Sequence, residues 1–192
     1  YYHVGLPKTA TTSLQKNLFP YLFRDGFIHR SQSKKKNAMV QDLHRYYRSQ
    51  RSERLLSSSL EVMESIRANS ALSDILVSDE NITVSRSDIW NGKIQSADDF
   101  VASCRALSDF FQEKGFHVKF LFFNRKLTHW LCSRYAESAK VNHHFSQSHF
   151  ESIMRESSTV DLLKRSVVNH IRLRDSIEKA GLTEQFLLAD LS

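Results

Sequence analysis

The sequence predicts a mixed α/β domain, a central parallel sheet layered between helices in an α/β/α arrangement. Three observations lead there. Short apolar, β-favouring runs alternate with longer stretches of helical periodicity along all 192 residues. The runs are continuously apolar rather than alternating, as strands buried on both faces are. Only five glycines and two prolines punctuate the chain, too few for the many turns of an all-β sandwich.

The elements follow in order. Tyr1-Tyr2-His3-Val4, ending at Gly5, reads as a buried first strand. A loop of mostly small residues comes next, and Leu14, Leu18 and Leu22 then repeat at i, i+4, i+8. That spacing predicts a helix with one buried stripe, capped by Thr11, Thr12 or Ser13. Gly26 introduces a short strand, Phe27-Ile28-His29, and residues 31–52 are polar and basic. Leu56, Leu60, Met63 and Arg67 mark a second helix, and Ile75-Leu76-Val77 a strand running into Ser78-Asp79-Glu80-Asn81. Phe100, Val101, Cys104, Leu107 and Phe111 predict a third helix, closed by Gly115. The run from Phe116 to Phe123 is the strongest strand and stops at Asn124-Arg125. Leu127, Leu131 and Tyr135 begin another helix, and residues 142–158 read as irregular or short helical. Val160, Leu163, Val167, Ile171 and Ile177 predict one long helix ending at Gly181, before a last strand over Gln185–Ala189. The whole, residues 1–192, reads as a single domain.

The chain holds 27 Lys and Arg against 21 Asp and Glu, a net charge of +6 with nine histidines neutral. This favours anionic partners: nucleic acid, phosphates, sulfated or acidic substrates, or a membrane surface. Two cysteines, Cys104 and Cys132, support neither a disulfide framework nor a Cys-based zinc site. No apolar run approaches a membrane span and no signal peptide opens the sequence, so the expectation is a cytoplasmic protein without a membrane partner.

In an open parallel sheet, ligands bind beyond the carboxyl ends of the strands. Three polar segments fall there: Gly5–Ser13, Ser78–Asn81 and Asn124–Arg125. The first feeds a helix N-terminus, where free N–H groups and the helix dipole favour an anion. Lys8 adds a full charge and Thr9, Thr11 and Thr12 add hydroxyls. It is not a Walker A loop, because no glycine precedes Lys8.

His3-Val4-Gly5-Leu6-Pro7-Lys8-Thr9-Ala10-Thr11-Thr12-Ser13-Leu14-Gln15 resembles the 5′-phosphosulfate loop of sulfotransferases that use 3′-phosphoadenosine 5′-phosphosulfate (PAPS). The closest likeness is to bacterial and carbohydrate-type members. Their pattern is Gly-x-Pro-Lys-[Ser/Thr]-Gly-[Ser/Thr]-Thr-x-Leu, and the departure is Ala10 in place of glycine. A methyl is tolerated where the backbone is helical, since only positive φ demands glycine. Phe120 to Arg125, with Ser133 eight residues on and then Tyr135, resembles the family's 3′-phosphate site. There a strand-end arginine and a serine of the following helix share one phosphate, and a guanidinium fork with a hydroxyl suits that dianion. Lys126-Leu127 departs from the common Asn-Pro.

The resemblance implies a P-loop-like sulfotransferase fold and transfer of a sulfuryl group from PAPS to a hydroxyl acceptor, a carbohydrate or small metabolite, leaving PAP. Pro7, Lys8, Thr9, Ala10, Thr11 and Thr12 would form the phosphosulfate loop, with Lys8 at the bridging oxygen. Arg125 and Ser133 would hold the 3′-phosphate. Glu80 or Asp79, at a strand end where related enzymes carry an acid, would take the acceptor proton; Glu80 reads equally as a partner of Lys8 or a helix cap. The chemistry requires no metal, and His143, His144 and His149 read as surface histidines. Family members continue past the last strand with a loop closing over the adenine, so the expectation is a domain truncated at its C-terminus.

Other readings are a P-loop kinase or NTPase, a degenerate sulfotransferase that binds without transfer, and a non-catalytic basic module. Lys34-Lys35-Lys36 reads as a solvated face, with contact to an acidic or sulfated acceptor as the alternative, and Arg45–Arg54 as a basic surface helix, with Tyr46 and Tyr47 stacking on bases or sugars as the alternative. No nucleic-acid motif is present, so nucleic acid is not an expected partner. Acceptor identity and oligomeric state are not encoded in any feature of the sequence.

Overall fold

The computed structural model describes residues 1–6, 11–29, 33–47, 52–69, 74–79 and 89–190. Its centre is a five-stranded, wholly parallel sheet. The strands are β1 (Tyr2–His3), β2 (Phe27–Ile28), β3 (Leu76–Ser78), β4 (Phe120–Asn124) and β5 (Phe186–Asp190), in spatial order β2-β3-β1-β4-β5. All five predicted strands are present, within a few residues of their predicted limits.

Helices cover both faces. One face carries the larger core, in which Tyr2, Val4, Leu6, Val77, Phe120, Phe122 and Phe186 meet most of the helices. These are α2 (Lys34–Arg45), α3 (Glu53–Asn69), α4 (Ala97–Glu113), α5 (Leu127–Ala139), α6 (Gln147–Arg155), α7 (Ser157–Arg165) and α8 (His170–Lys179). The other face carries a smaller cluster of Phe19, Phe27 and Leu76, with Leu121 and Phe123 against it. It is covered by α1, a continuous helix of three stretches: an α turn Thr11–Ser13, a π stretch Leu14–Leu18 and an α stretch Phe19–Phe23. Alternate strand residues thus serve different cores, which is why the strands read as unbroken apolar runs.

Four expectations are corrected. In α1, Leu18 and Leu22 are exposed, and Phe19 is the buried residue. The π stretch widens the turn ahead of Pro20, which has no N–H to continue the ladder, and this rotates the apolar face away from the leucine row. Thr11, Thr12 and Ser13 lie inside α1 rather than at its cap. The predicted long C-terminal helix is two, α7 and α8. Between them Ser166 bridges Ser96, the Val167 N–H donates to the Gln95 carbonyl, and the Asn169 side chain caps α8. Val167 and Val168 are buried in that break, while Ile171 is exposed. Finally, the polar segment near residue 40 contains α2, whose Met39, Val40 and Leu43 enter the main core, and Tyr46 and Tyr47 just beyond it are buried too. With 2% and 1% of their surface exposed, those tyrosines have no face to offer a base or sugar.

Gly115 and Gly181 close α4 and α8 with φ of +77° and +64°, the left-handed conformation that their helix ends require. No helix among the described residues is long and apolar enough to cross a membrane.

Candidate functional site at the carboxyl edge of the sheet

The chain leaves β1 for β2 on one side, returns to β3, and then moves to β4 on the other side of β1. This reversal puts the topological switch point at the carboxyl end of β1, where open α/β sheets bind ligands. The register sets His3 beside Ser78 of β3 and Leu121 of β4. Pairing runs on past the strand: the N–H of Val4 donates to the Leu121 carbonyl (3.0 Å) and that of Leu6 to the Phe123 carbonyl (3.4 Å). The segment entering the predicted phosphosulfate loop is therefore fixed against β4.

Gly5 is required by closeness. A Cβ there would lie 2.9 Å from the Phe123 nitrogen and 3.2 Å from Nε2 of His3. The hydrogen in its place leaves the His3 ring room on that side.

Beside Gly5 is a buried polar chain. The amide Nε2 of Gln15 donates to Ser78 Oγ at 3.1 Å, and Ser78 Oγ is 2.7 Å from Nδ1 of His3. The His3 ring sits between Phe19 and Phe123, both edge-on, at centroid distances of 5.3 and 5.2 Å. Burial pushes its pKa down to about 4, opposed by the charge of Asp79, so the imidazole is neutral at pH 7. On the opposite face of the sheet, Asp79 is 2% exposed and its Oδ2 lies 3.1 Å from Nε2 of His44 on α2.

Among the sequence-predicted residues, Arg125 emerges half-buried where β4 ends, and Ser133 is half-buried on α5. Thr12 is exposed in the first turn of α1, and Asp79 follows β3 directly. Pro7, Lys8, Thr9, Ala10 and Glu80 lie outside the described residues, as does the side chain of Thr11. Tyr135 is committed to structure: its hydroxyl accepts from the Ser146 N–H at 3.0 Å and lies 2.7 Å from His149 Nδ1. His143 and His144 are exposed. Among the described residues no three His, Cys, Asp or Glu side chains group to hold a metal. Of the lysine run, Lys36 is anchored, donating to the Phe27 carbonyl at 2.8 Å.

Sequence reading assigned no role to His3, Gln15, Ser78 or His44. The available signal was a histidine within an apolar strand, since a buried polar ring needs a partner.

Comparison with protein-family models, with curated proteins and with solved structures returned no match.

Proposed function

We propose that the chain is a PAPS-dependent sulfotransferase acting on a hydroxyl acceptor, a carbohydrate or small metabolite, with the sulfotransferase variant of the P-loop fold. The observation that carries this reading is the pairing of β1 with β4. The two strands that lead into the two motifs are parallel neighbours, about 5 Å apart, so Gly5 and Arg125 leave the sheet at one edge. A parallel sheet whose switch point falls at the same strand end supports it further.

The residues fit an anionic ligand on one structural ground: Nε2 of His3, at the end of β1, is a buried polar atom with no hydrogen-bond partner among the described residues and can donate to an anion. The donor supplies the sulfuryl group, whose transfer spreads charge over equatorial oxygens between in-line attacking and leaving oxygens. Lys8 stabilises charge on the bridging oxygen, and the N–H groups and hydroxyls of Thr9, Thr11 and Thr12 hold the 5′ group. Arg125 and Ser133 anchor the 3′-phosphate. Asp79 is buried against His44, so in this reading Glu80 accepts the acceptor proton and Asp79 is its inward-facing neighbour.

Isothermal titration with 3′-phosphoadenosine 5′-phosphate tests the reading. Saturable binding without added Mg²⁺, and no binding of ATP, is expected. Mg²⁺-dependent ATP binding in place of it would transfer the site to the kinase or NTPase reading.

A further inference from the structure

The Gln15–Ser78–His3 chain decides where the protons of a buried imidazole sit. Gln15 Nε2 can only donate, so Ser78 Oγ accepts from it at 3.1 Å. The Ser78 hydroxyl then has its own proton to place, and His3 Nδ1 at 2.7 Å is the acceptor that uses it. This assignment leaves Nδ1 unprotonated and puts the ring proton on Nε2, the alternative being Nδ1–H donating to the second lone pair of Ser78. Nε2 is buried and has no hydrogen-bond partner among the described residues. It lies beside Gly5, where a Cβ would come within 3.2 Å of it. His3 is 0% exposed, and leaving a buried donor without an acceptor costs stability. The acceptor that removes this cost has to enter at the floor of the loop between β1 and α1.

We propose that His3 is a neutral anion-binding residue, whose Nε2–H, fixed by Ser78 and Gln15, donates to one oxygen of a phosphate or sulfate seated above Gly5. The inference rests on the anion-binding part of the function proposed above and adds to it a residue and a protonation state. A neutral donor suits this place. Phe19 and Phe123 enclose the ring, and among the described residues an imidazolium there would have Asp79 as its one nearby opposite charge. The other groups packed on His3, Gln15 of α1 and Ser78 of β3, are uncharged. Anion affinity through this contact should then hold steady between pH 5.5 and 7.5, where a cationic histidine would lose it as pH rises.

The test uses the full chain with 3′-phosphoadenosine 5′-phosphate and, separately, inorganic sulfate as probes. Nitrogen-15 NMR of histidine-labelled protein should show the His3 ring protonated at Nε2 alone, and the Nε2–H resonance should shift on adding either probe. His3→Phe, which keeps a ring between the two phenylalanines, should weaken the nucleotide about 3- to 10-fold, the worth of one neutral hydrogen bond. His3→Gln, which can return an N–H to the Nε2 position, should recover most of that loss. Ser78→Ala frees the tautomer and should also weaken binding. Wild-type binding with an unmoved His3 resonance, or with His3→Phe binding unchanged, would overturn this inference and leave the proposed function standing. Binding of neither probe by the wild type would overturn both.

Discussion

Nε2 of His44 lies 3.1 Å from Oδ2 of Asp79, joining α2 to the carboxyl end of β3 under the main core. Both residues are buried, at 7% and 2% exposure. Truncating either removes a polar contact from a buried place, and a buried polar group that loses a partner costs about 1–3 kcal/mol. His44→Ala and Asp79→Ala should each lower stability by that much, and the double variant by clearly less than their sum. A coupling of about 1–3 kcal/mol in urea unfolding is expected. Strict additivity would mean that the two side chains do not act as a unit.

The depressed pKa of His3 makes stability depend on pH. Burial lowers it from 6.5 in the unfolded chain to about 4 in the fold. Between those values the unfolded chain binds the proton and the folded chain does not, so stability falls as pH falls through this window. The stabilisation is complete above pH 6.5, and roughly 3 kcal/mol is lost by pH 4 at 1.36 kcal/mol per pH unit. Urea midpoints taken from pH 7 to pH 4 should fall more steeply for the wild type than for His3→Phe, which has no proton to bind. Parallel curves would place the titration elsewhere.

Gly26 is a second position where shape, rather than chemistry, excludes a side chain. A Cβ there would enter the van der Waals shell of the Asp74 carbonyl oxygen, a backbone atom that cannot swing aside. Gly115, by contrast, has open space around it and only its positive φ to oppose substitution. Gly26→Ala should cost about 1–3 kcal/mol or more through overpacking, with displacement of β2 from β3. Gly115→Ala should cost about 1–2 kcal/mol, the ordinary penalty of a left-handed residue. Thermal unfolding of the two variants, with hydrogen exchange at Phe27 and Ile28, separates a clash from a conformational penalty. Faster exchange at β2 belongs to Gly26→Ala alone.

β1 to β4 were legible because their residues face helices on both sides of the sheet and the apolar run is unbroken; β5 kept such a run although Leu187 and Leu188 are exposed. Helix α2 was not: Lys34, Lys35 and Lys36 open it, and its buried residues come only a turn later. In α1 the leucine row was real in the sequence, and Leu14 does pack inward, but past the π stretch Leu18 and Leu22 are at the surface and Phe19 is turned inward. The break before α8 carries neither glycine nor proline; its mark is Asn169, a capping residue inside an apolar periodicity. At the candidate site, Arg125 was legible as a cation where a strand stops. The His3–Ser78–Gln15 chain was not, because its three members are 75 and 63 residues apart in the bonds they make and only the parallel register unites them.

Lys8 and Arg125 have different duties in the proposed sulfotransferase, and the two should separate in kinetics. A charge that matters mainly as the bridging bond breaks affects turnover more than binding. Lys8→Ala should therefore cut kcat about 10²- to 10³-fold, comparable to removing one preorganised donor from a transition state, with modest change in KM for the donor. A guanidinium holding a distant phosphate contributes alike to ground and transition states. Arg125→Ala should instead raise the dissociation constant for 3′-phosphoadenosine 5′-phosphate about 10- to 100-fold, the worth of a charge-assisted hydrogen bond, and leave kcat at saturation within a few-fold. Arg125 lies half-buried beyond β4 while Asn124 and the strand itself pair with β5, so the substitution should leave the sheet intact by circular dichroism. The decisive comparison is with a donor analogue lacking the 3′-phosphate. Wild type and Arg125→Ala should bind it equally, whereas Lys8→Ala should remain slow with either donor. An Arg125→Ala penalty that persists on the analogue would remove the 3′-phosphate from the role given to that arginine.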